Sequence, residues 1–512
     1  MNAASKSVRS AVIGTGAMGR GIAQILALGG HTVGLYDQQA DAVSNAIESL
    51  RKVFARLVEK GKLPAAEAEQ ALNRLQPVAK LEDLSESELV IEAILEKLEV
   101  KQTLFQSLEA IVAPDAVLAS NTSSLSITAI ASGCKHPERV AGYHFFNPVP
   151  LMKVVEVVQG ARTDPKVIDQ LCELASQIGH RAVRADDSPG FIVNHAGRGY
   201  STESLKALGE GVASVPVIDT ILREHVNFEG RGFRLGPFEL MDLTGLDVSH
   251  PVMLSISEQF YTEPRFRPST IAAQRYAAGL FGRKTSAGFY EYQDGQQIKS
   301  DAPESPPAAV SGIRVWVAPG PEQEHLNATC EALGAAIDSG EQAAPDSLIL
   351  LAPLGHDAAT AAAGLDATRC VAIDTLFPYG HQACKRRVLM KTAATRPDII
   401  DSATGLFASD GAKVSVLRDS AGFVSQRVVA MIIAIACEIA QQRIASVADI
   451  DDAVRIGLGY PLGPISMGDA LGAERVQTLL ANLHSVTLDP RYRPSLWIQR
   501  RAQLGLALTT QD

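Results

Sequence analysis

Residue types suited to oxidising a secondary alcohol follow one another in this chain: Ser123, His144, Glu156 and Asn194. Such a reaction needs a base that takes the hydroxyl proton while hydride leaves the carbon. An imidazole titrates near neutral pH and can hold and release that proton. A carboxylate behind it fixes the tautomer and stabilises the imidazolium. Hydroxyl and amide groups can hold the oxygen as it becomes a carbonyl. Read alone, each residue also has a structural alternative. His144 could be a satisfied residue at a strand end, Ser123 a helix cap and Asn194 a core amide bonded to backbone. Glu156 says more, because it interrupts the apolar run 154–158, where a carboxylate without a partner is costly. His144 is the candidate partner.

The elements that must position these residues begin at the N-terminus. A short apolar run, Ala11-Val12-Ile13, enters Gly14-Thr15-Gly16-Ala17-Met18-Gly19, and a helical pattern follows from Gly21. Strand, glycine turn and helix together form a dinucleotide fingerprint: Gly14 for the turn, Gly16 for backbone approach to a pyrophosphate, Gly19 for close helix–strand packing. The diphosphate would sit on the free N–H groups of the helix start. A second strand, 32–36, ends in Asp37, placed to accept hydrogen bonds from the adenosine ribose hydroxyls and to repel the extra phosphate of NADP. The expected cofactor is NAD. A ligand-free glycine turn, and a helix-capping role for Asp37, are the structural alternatives.

Further strands are expected at 89–93, 117–120, 140–144 and 154–158, with helical composition over 40–60 and 63–71. Apolar runs separated by helical patterns indicate a largely parallel sheet with helices on both faces. Asn121-Thr122-Ser123-Ser124 and His144 then fall at the carboxyl edge of that sheet, where ligands of open α/β sheets bind. The reading is an α/β Rossmann domain over 1–187 and an all-α domain over 188–293. A polar, proline-containing linker follows over 294–312.

Beyond the linker the chain repeats itself. Asp187-Ser188-Pro189-Gly190-Phe191 recurs as Asp419-Ser420-Ala421-Gly422-Phe423, Leu235-Gly236-Pro237 as Leu462-Gly463-Pro464, and Arg267-Pro268-Ser269 as Arg493-Pro494-Ser495. A degenerate α/β domain is expected over 313–415, opening with Ile313-Arg314-Val315-Trp316-Val317, and a second all-α domain over 416–512. No GxGxxG follows the strand at 313–317. Unrelated linker structure is the alternative for 313–415.

At 512 residues the chain is long enough for several cores. An apolar content of 46%, a charged content of 20% and a net charge of −10 without basic blocks describe a globular protein whose main partner is not nucleic acid. The six cysteines show no metal-ligand spacing, and no metal is expected. Neither a leader-like apolar segment at the N-terminus nor a spanning apolar run is evident, so a cytoplasmic location without a membrane partner is expected.

Five ordered motifs together resemble the 3-hydroxyacyl-CoA dehydrogenase family: Gly14-x-Gly16-x-Met18-Gly19, Asn121-Thr122-Ser123-Ser124, 144–150 (HFFNPVP), 189–194 (PGFIVN) and 282–290 (GRKTSAGFY). The resemblance covers about residues 8–292 and implies NAD-dependent oxidation of an L-3-hydroxyacyl-CoA to the 3-oxoacyl-CoA. It implies His144 as base, Glu156 as its partner, Ser123 beside the substrate oxygen and nicotinamide, and Asn194 near the substrate. Gly14, Gly16, Met18, Gly19, Asp37, Glu96, Lys101, Asn147 and Lys284 fall at cofactor-site positions, and Ser49 and Arg56 in the segment that contacts CoA. The duplicated architecture, with 199–204 and 265–269, resembles the bacterial subgroup of phenylacetate degradation that acts on 3-hydroxyadipyl-CoA; fatty-acid β-oxidation is the other setting. His195 stands where arginine is usual, and Gly197 and Gly199 are unusual in a helix.

In the second copy Gln426 replaces the asparagine, Thr375 or Leu376 falls at the histidine position, and Val388 falls near that of Glu156. That copy is expected to be catalytically silent and to supply within one chain the surface through which shorter members dimerise. The chain would then be a monomer or a homodimer. Two other functions fit less of the pattern: a dehydrogenase of a 3-hydroxy acid lacking CoA, and an inactive NAD-binding structural protein.

Overall fold

The computed structural model describes residues 7–39, 41–298 and 312–511. Within the first 195 residues, eight strands form one sheet: β1 (Arg9–Ile13), β2 (Thr32–Tyr36), β3 (Leu75–Pro77), β4 (Leu89–Glu92), β5 (Val117–Ser120), β6 (Val140–Phe145), β7 (Val154–Gln159) and β8 (Arg181–Asp186), in the order β3-β2-β1-β4-β5-β6-β7-β8. Every neighbouring pair is parallel except β6 and β7. The connection 146–153 is too short for a crossover helix, so β7 returns antiparallel.

Alternation along the strands builds two cores. Ala11 and Ile13 face one helical layer with Val90, Leu118 and Phe105; Val12 faces the other with Leu35, Ile91 and Ile22. The helix Ala42–Glu59 buries Val43, Ala46, Leu50 and Phe54 at helical spacing, which leaves Arg56 on its exposed face.

The helical region follows as Val193–Ala196, Arg198–Gly209, Val215–Glu224, Pro237–Thr244, Leu246–Gln259 and Thr270–Ala277. The first residues of the linker form a hairpin instead, β9 (Tyr292–Gln293) with β10 (Gln296–Gln297), turned by Asp294 and Gly295 at positive φ. The rest of the linker, 299–311, and the N-terminal 1–6 lie outside the described residues. The second sheet comprises β11 (Arg314–Val317), β12 (Ala336–Ile337), β13 (Leu348–Leu351), β14 (Cys370–Ile373), β15 (Arg386–Lys391) and β16 (Lys413–Leu417), ordered β12-β11-β13-β14-β15-β16. It repeats the parallel pattern and the single antiparallel pair, β14 with β15. The architecture is a Rossmann-like α/β domain and an all-α region, followed by a reduced α/β domain and a second all-α region.

The chain divides into two compact units, one of residues 1–195 and 442–458, the other of 196–441 and 459–512. The helix Val447–Leu458, from the second all-α region, therefore belongs to the first unit. It packs on β7 and β8, and Arg181 of β8 pairs with its Asp449 and Asp452. In the second unit the corresponding helix of the first copy, Val215–Glu224, packs against β15. The long helix Ser425–Gln441 is buried along nearly all its length and crosses Arg198–Gly209. A Cβ on Gly199 would lie 3.1 Å from Ile432 N, so this glycine lets two helix backbones approach. Its departure from the usual helical residue has a packing cause.

Candidate active site

The glycine turn is shaped for a ligand. A Cβ on Gly14 would meet Ala93 O at 2.6 Å, and one on Gly19 would meet Gly14 O at 1.8 Å, so both positions require glycine. Gly16 faces open space, and the helix Ala17–Leu28 starts there with no side-chain cap. Its first N–H groups are therefore available to an anion. Met18 packs against the core of the first sheet. Asp37 ends β2 and accepts from Thr15 N (2.8 Å), Thr15 Oγ1 (3.0 Å) and Gln39 N (3.1 Å). Burial pushes its carboxyl up, but these donors outweigh burial and hold it below the usual range. An anionic acceptor at the second strand end and an uncapped glycine turn together fit a dinucleotide.

At the carboxyl edge, His144 of β6 stands directly across from Glu156 of β7. His144 Nδ1 lies 2.5 Å from Glu156 Oε2; the carboxylate is fully buried and the imidazole is 5% exposed. Glu156 Oε1 accepts the N–H groups of Ile192 and Val193, both at 2.8 Å. The carboxylate thereby joins the imidazole to the start of the helix that carries Asn194. A turn made by Gly190 (φ 76°) and Phe191 (φ 50°) aims those N–H groups at it. Asn194 Nδ2 in turn donates to Ser123 O at 3.3 Å. Ser123, His144, Glu156 and Asn194 thus form one connected group. His144 Nε2 and the Ser123 hydroxyl make no hydrogen bond to any described residue, which leaves both for a substrate.

Glu96 and Lys101 sit beside this group. Glu96 Oε1 accepts from Thr122 Oγ1 (2.6 Å), Ser123 N (3.0 Å) and both Ser124 N and Oγ (3.2 and 3.0 Å). Lys101 Nζ lies 3.3 Å from Glu96 Oε2 and 2.5 Å from Glu92 Oε1. Burial acts to raise the Glu96 pKa, but Lys101 and the serine and threonine donors hold it below its ordinary value. The fully buried Glu92 was not singled out in the sequence. Its signal was there: a carboxylate closing an apolar strand, like the one noticed in 154–158.

Of the remaining residues, Asn147 is exposed and precedes a cis peptide to Pro148. Ser49 bonds Asn45 O within its helix, and Arg56 is exposed about two turns further along the same helix. Lys284 belongs to the second unit, where it pairs with Asp247 at 2.7 Å. His195 is buried, and burial pushes its pKa down to about 3, so the residue that replaces arginine is neutral.

The second copy holds a different constellation. Strand pairing places Asp374, rather than Thr375 or Leu376, across from Val388, and Val388 pairs with Ser415 as Glu156 pairs with Val183. Asp374 therefore occupies the His144 position. It is fully buried, accepts from Gln426 Nε2 (2.9 Å) and Ser425 Oγ, and lies 3.1 Å from His225 Nε2. Gln426, at the Asn194 position, also donates to Pro353 O and accepts from Gly355 N. Side chains fill the place where the first copy leaves Nε2 and a hydroxyl open.

Residues 9–188 match the 3-hydroxyacyl-CoA dehydrogenase NAD binding domain, and 190–292 and 422–510 both match the C-terminal domain of the same family. The chain belongs to the 3-hydroxyacyl-CoA dehydrogenase family. As a 3-hydroxyacyl-CoA dehydrogenase family member it is an NAD-binding oxidoreductase. It is 39% identical to the 3-hydroxyadipyl-CoA dehydrogenase of Escherichia coli K12 over 96% of this chain and 97% of the other. The mitochondrial hydroxyacyl-coenzyme A dehydrogenase of Sus scrofa is 40% identical over 55% of this chain and 90% of its own length. A crystal structure of a 3-hydroxybutyryl-CoA dehydrogenase from Escherichia coli K12 aligns with a TM-score of 0.83 at 37% identity, covering 98% of this chain and 99% of the other. Among the described residues no helix is long and apolar enough to cross a membrane, and no side-chain cluster could hold a metal ion.

Proposed function

We propose that this 3-hydroxyacyl-CoA dehydrogenase oxidises the L-3-hydroxyl of 3-hydroxyadipyl-CoA, at one site per chain, in the cytoplasm. The observation that carries the chemistry is the His144 ring: Nδ1 is held by a buried carboxylate, and Nε2 is left without a partner among the described residues. In that arrangement Nδ1 carries the proton and Nε2 presents a lone pair, the tautomer a general base requires. Bound NAD supplies the hydride acceptor. His144 Nε2 takes the hydroxyl proton, and Glu156 stabilises the imidazolium that results. The Ser123 hydroxyl and the Asn194 amide steady the oxygen as it becomes a carbonyl. The Gly14–Gly19 turn and Asp37 hold the dinucleotide, with Glu96, Lys101 and Asn147 as further cofactor contacts. Ser49 and Arg56 engage CoA, where a cation suits the phosphates.

The dicarboxylic substrate is supported by end-to-end similarity to the Escherichia coli 3-hydroxyadipyl-CoA dehydrogenase, which shares the duplicated length. Silence of the second copy is supported by Asp374, Val388 and Gln426 at the positions of His144, Glu156 and Asn194. The two all-α copies pack on each other within one unit, which supports a chain that needs no second subunit to cover that surface. The test is NADH production with 3-hydroxyadipyl-CoA, 3-hydroxybutyryl-CoA and free 3-hydroxyadipate. The highest kcat/KM is expected for the first. Preference for the butyryl compound would reassign the acyl chain, and turnover of the free acid would overturn the CoA reading.

A further inference from the structure

Glu92 closes β4 beneath the turn that carries Ser123. It is fully buried, and its carboxylate receives three donors. Oε1 takes Lys101 Nζ at 2.5 Å and Ile94 N at 2.7 Å, and Oε2 takes Ser120 Oγ at 2.6 Å. Two of these donors lead to Ser123. Ser120 Oγ accepts Thr122 N at 3.2 Å, which ties the start of the 121–124 turn to the carboxylate. Lys101, 1% exposed, spans from Glu92 to Glu96, and Glu96 Oε1 accepts the Ser123 N–H itself. A buried ammonium set between two carboxylates depends on both for its position, because a buried charge with too few partners is costly. The turn is therefore gripped from two sides, and both grips end on Glu92.

We propose that Glu92 is a positioning residue for catalysis, fixing the Ser123 hydroxyl through Ser120, Lys101 and Glu96. This rests on the reading of Ser123 as the hydroxyl beside the substrate oxygen. A carboxylate at position 92 serves where an amide does not. Glutamine carries no charge to balance the buried Lys101 ammonium, and its NH2, turned to Ser120 Oγ, would reverse that hydrogen bond and leave the hydroxyl proton to find another acceptor. Displacement of a reacting group by about 1 Å can cost on the order of a hundredfold in rate.

The experiment is a double-mutant cycle of Glu92→Gln with Ser123→Ala, read as kcat with saturating NAD and substrate. Glu92→Gln alone is expected to lower kcat by about ten- to a hundredfold. In the Ser123→Ala background it is expected to cost less than twofold, because there is no hydroxyl left to position. Equal losses in both backgrounds would overturn the proposal, as would unchanged kcat in Glu92→Gln. Unchanged kcat in Ser123→Ala would instead remove the reading beneath it. Should Glu92→Gln not fold, Ser120→Ala cuts one grip more gently in the same cycle, with a smaller loss that must again vanish without the Ser123 hydroxyl. A purely structural role would lower the thermal midpoint in both backgrounds and leave the two kcat effects additive.

Discussion

His144 Nδ1 lies 2.5 Å from Glu156 Oε2, straight across the only antiparallel pair of the first sheet, and the other oxygen of Glu156 holds the N–H groups of Ile192 and Val193. One carboxylate thus sets both the tautomer of the imidazole and the position of the Asn194 helix. Both functions need an acceptor on each oxygen, so an amide cannot replace it.

Glu156→Gln forces that conflict. If its NH2 faces Nδ1, the imidazole must carry its proton on Nε2 and cannot accept one; if it is turned, the NH2 meets two N–H groups. A fall in kcat of about a thousand- to ten-thousandfold is expected, with NAD affinity by fluorescence titration unchanged. A loss under tenfold would contradict the pairing as the source of the tautomer.

In the proposed function Asp37 discriminates the cofactor through its charge. Asp37→Ala is expected to weaken NAD by at least several-fold and to narrow its advantage over NADP, read from KM for the two cofactors. An unchanged ratio would place the discrimination elsewhere.

At Gly199 the backbones of two helices of the second unit approach closely. Gly199→Val is expected to destabilise by about 1–3 kcal/mol in denaturant unfolding, because a β-branched side chain must push the Ile432 backbone away. Gly199→Ala should cost less, and a neutral valine variant would show that this crossing can open freely.

Asp219 gives the second unit a pH dependence. Burial raises its pKa to about 7, against the donors Phe238 N, Glu239 N and the Tyr290 hydroxyl. The folded state therefore binds this proton more tightly than the unfolded state. The stabilisation is full below the ordinary aspartate range near 4 and is lost as pH rises through about 7. The thermal midpoint of the parent relative to Asp219→Asn should fall between pH 4 and pH 8. A constant difference would contradict the shift.

The glycine turn, Asp37 and the His144–Glu156 pair were legible because each breaks a local rule: glycines at a strand exit, an acid at a strand end, a carboxylate inside an apolar run. β8 went unread because Arg181–Asp186 alternates between buried and exposed positions and carries two arginines and an aspartate, so no apolar run marks it. The β9–β10 hairpin went unread because Asp294-Gly295, its turn signal, sat in a stretch whose composition suggested only a linker. Asp374 was missed by one residue, since the loop lengths around β14 differ between copies and only strand register resolves the alignment. The exchange of the helices Val215–Glu224 and Val447–Leu458 onto the other copy's sheet is a tertiary choice that no local pattern encodes.

The most direct measurement is NADH production by His144→Ala in the full chain, beside NAD binding by titration. Residual turnover below about 1% of the parent with NAD affinity intact is the predicted result. Turnover near the parent value would contradict His144 as the base, and turnover near half of it would contradict a single site per chain.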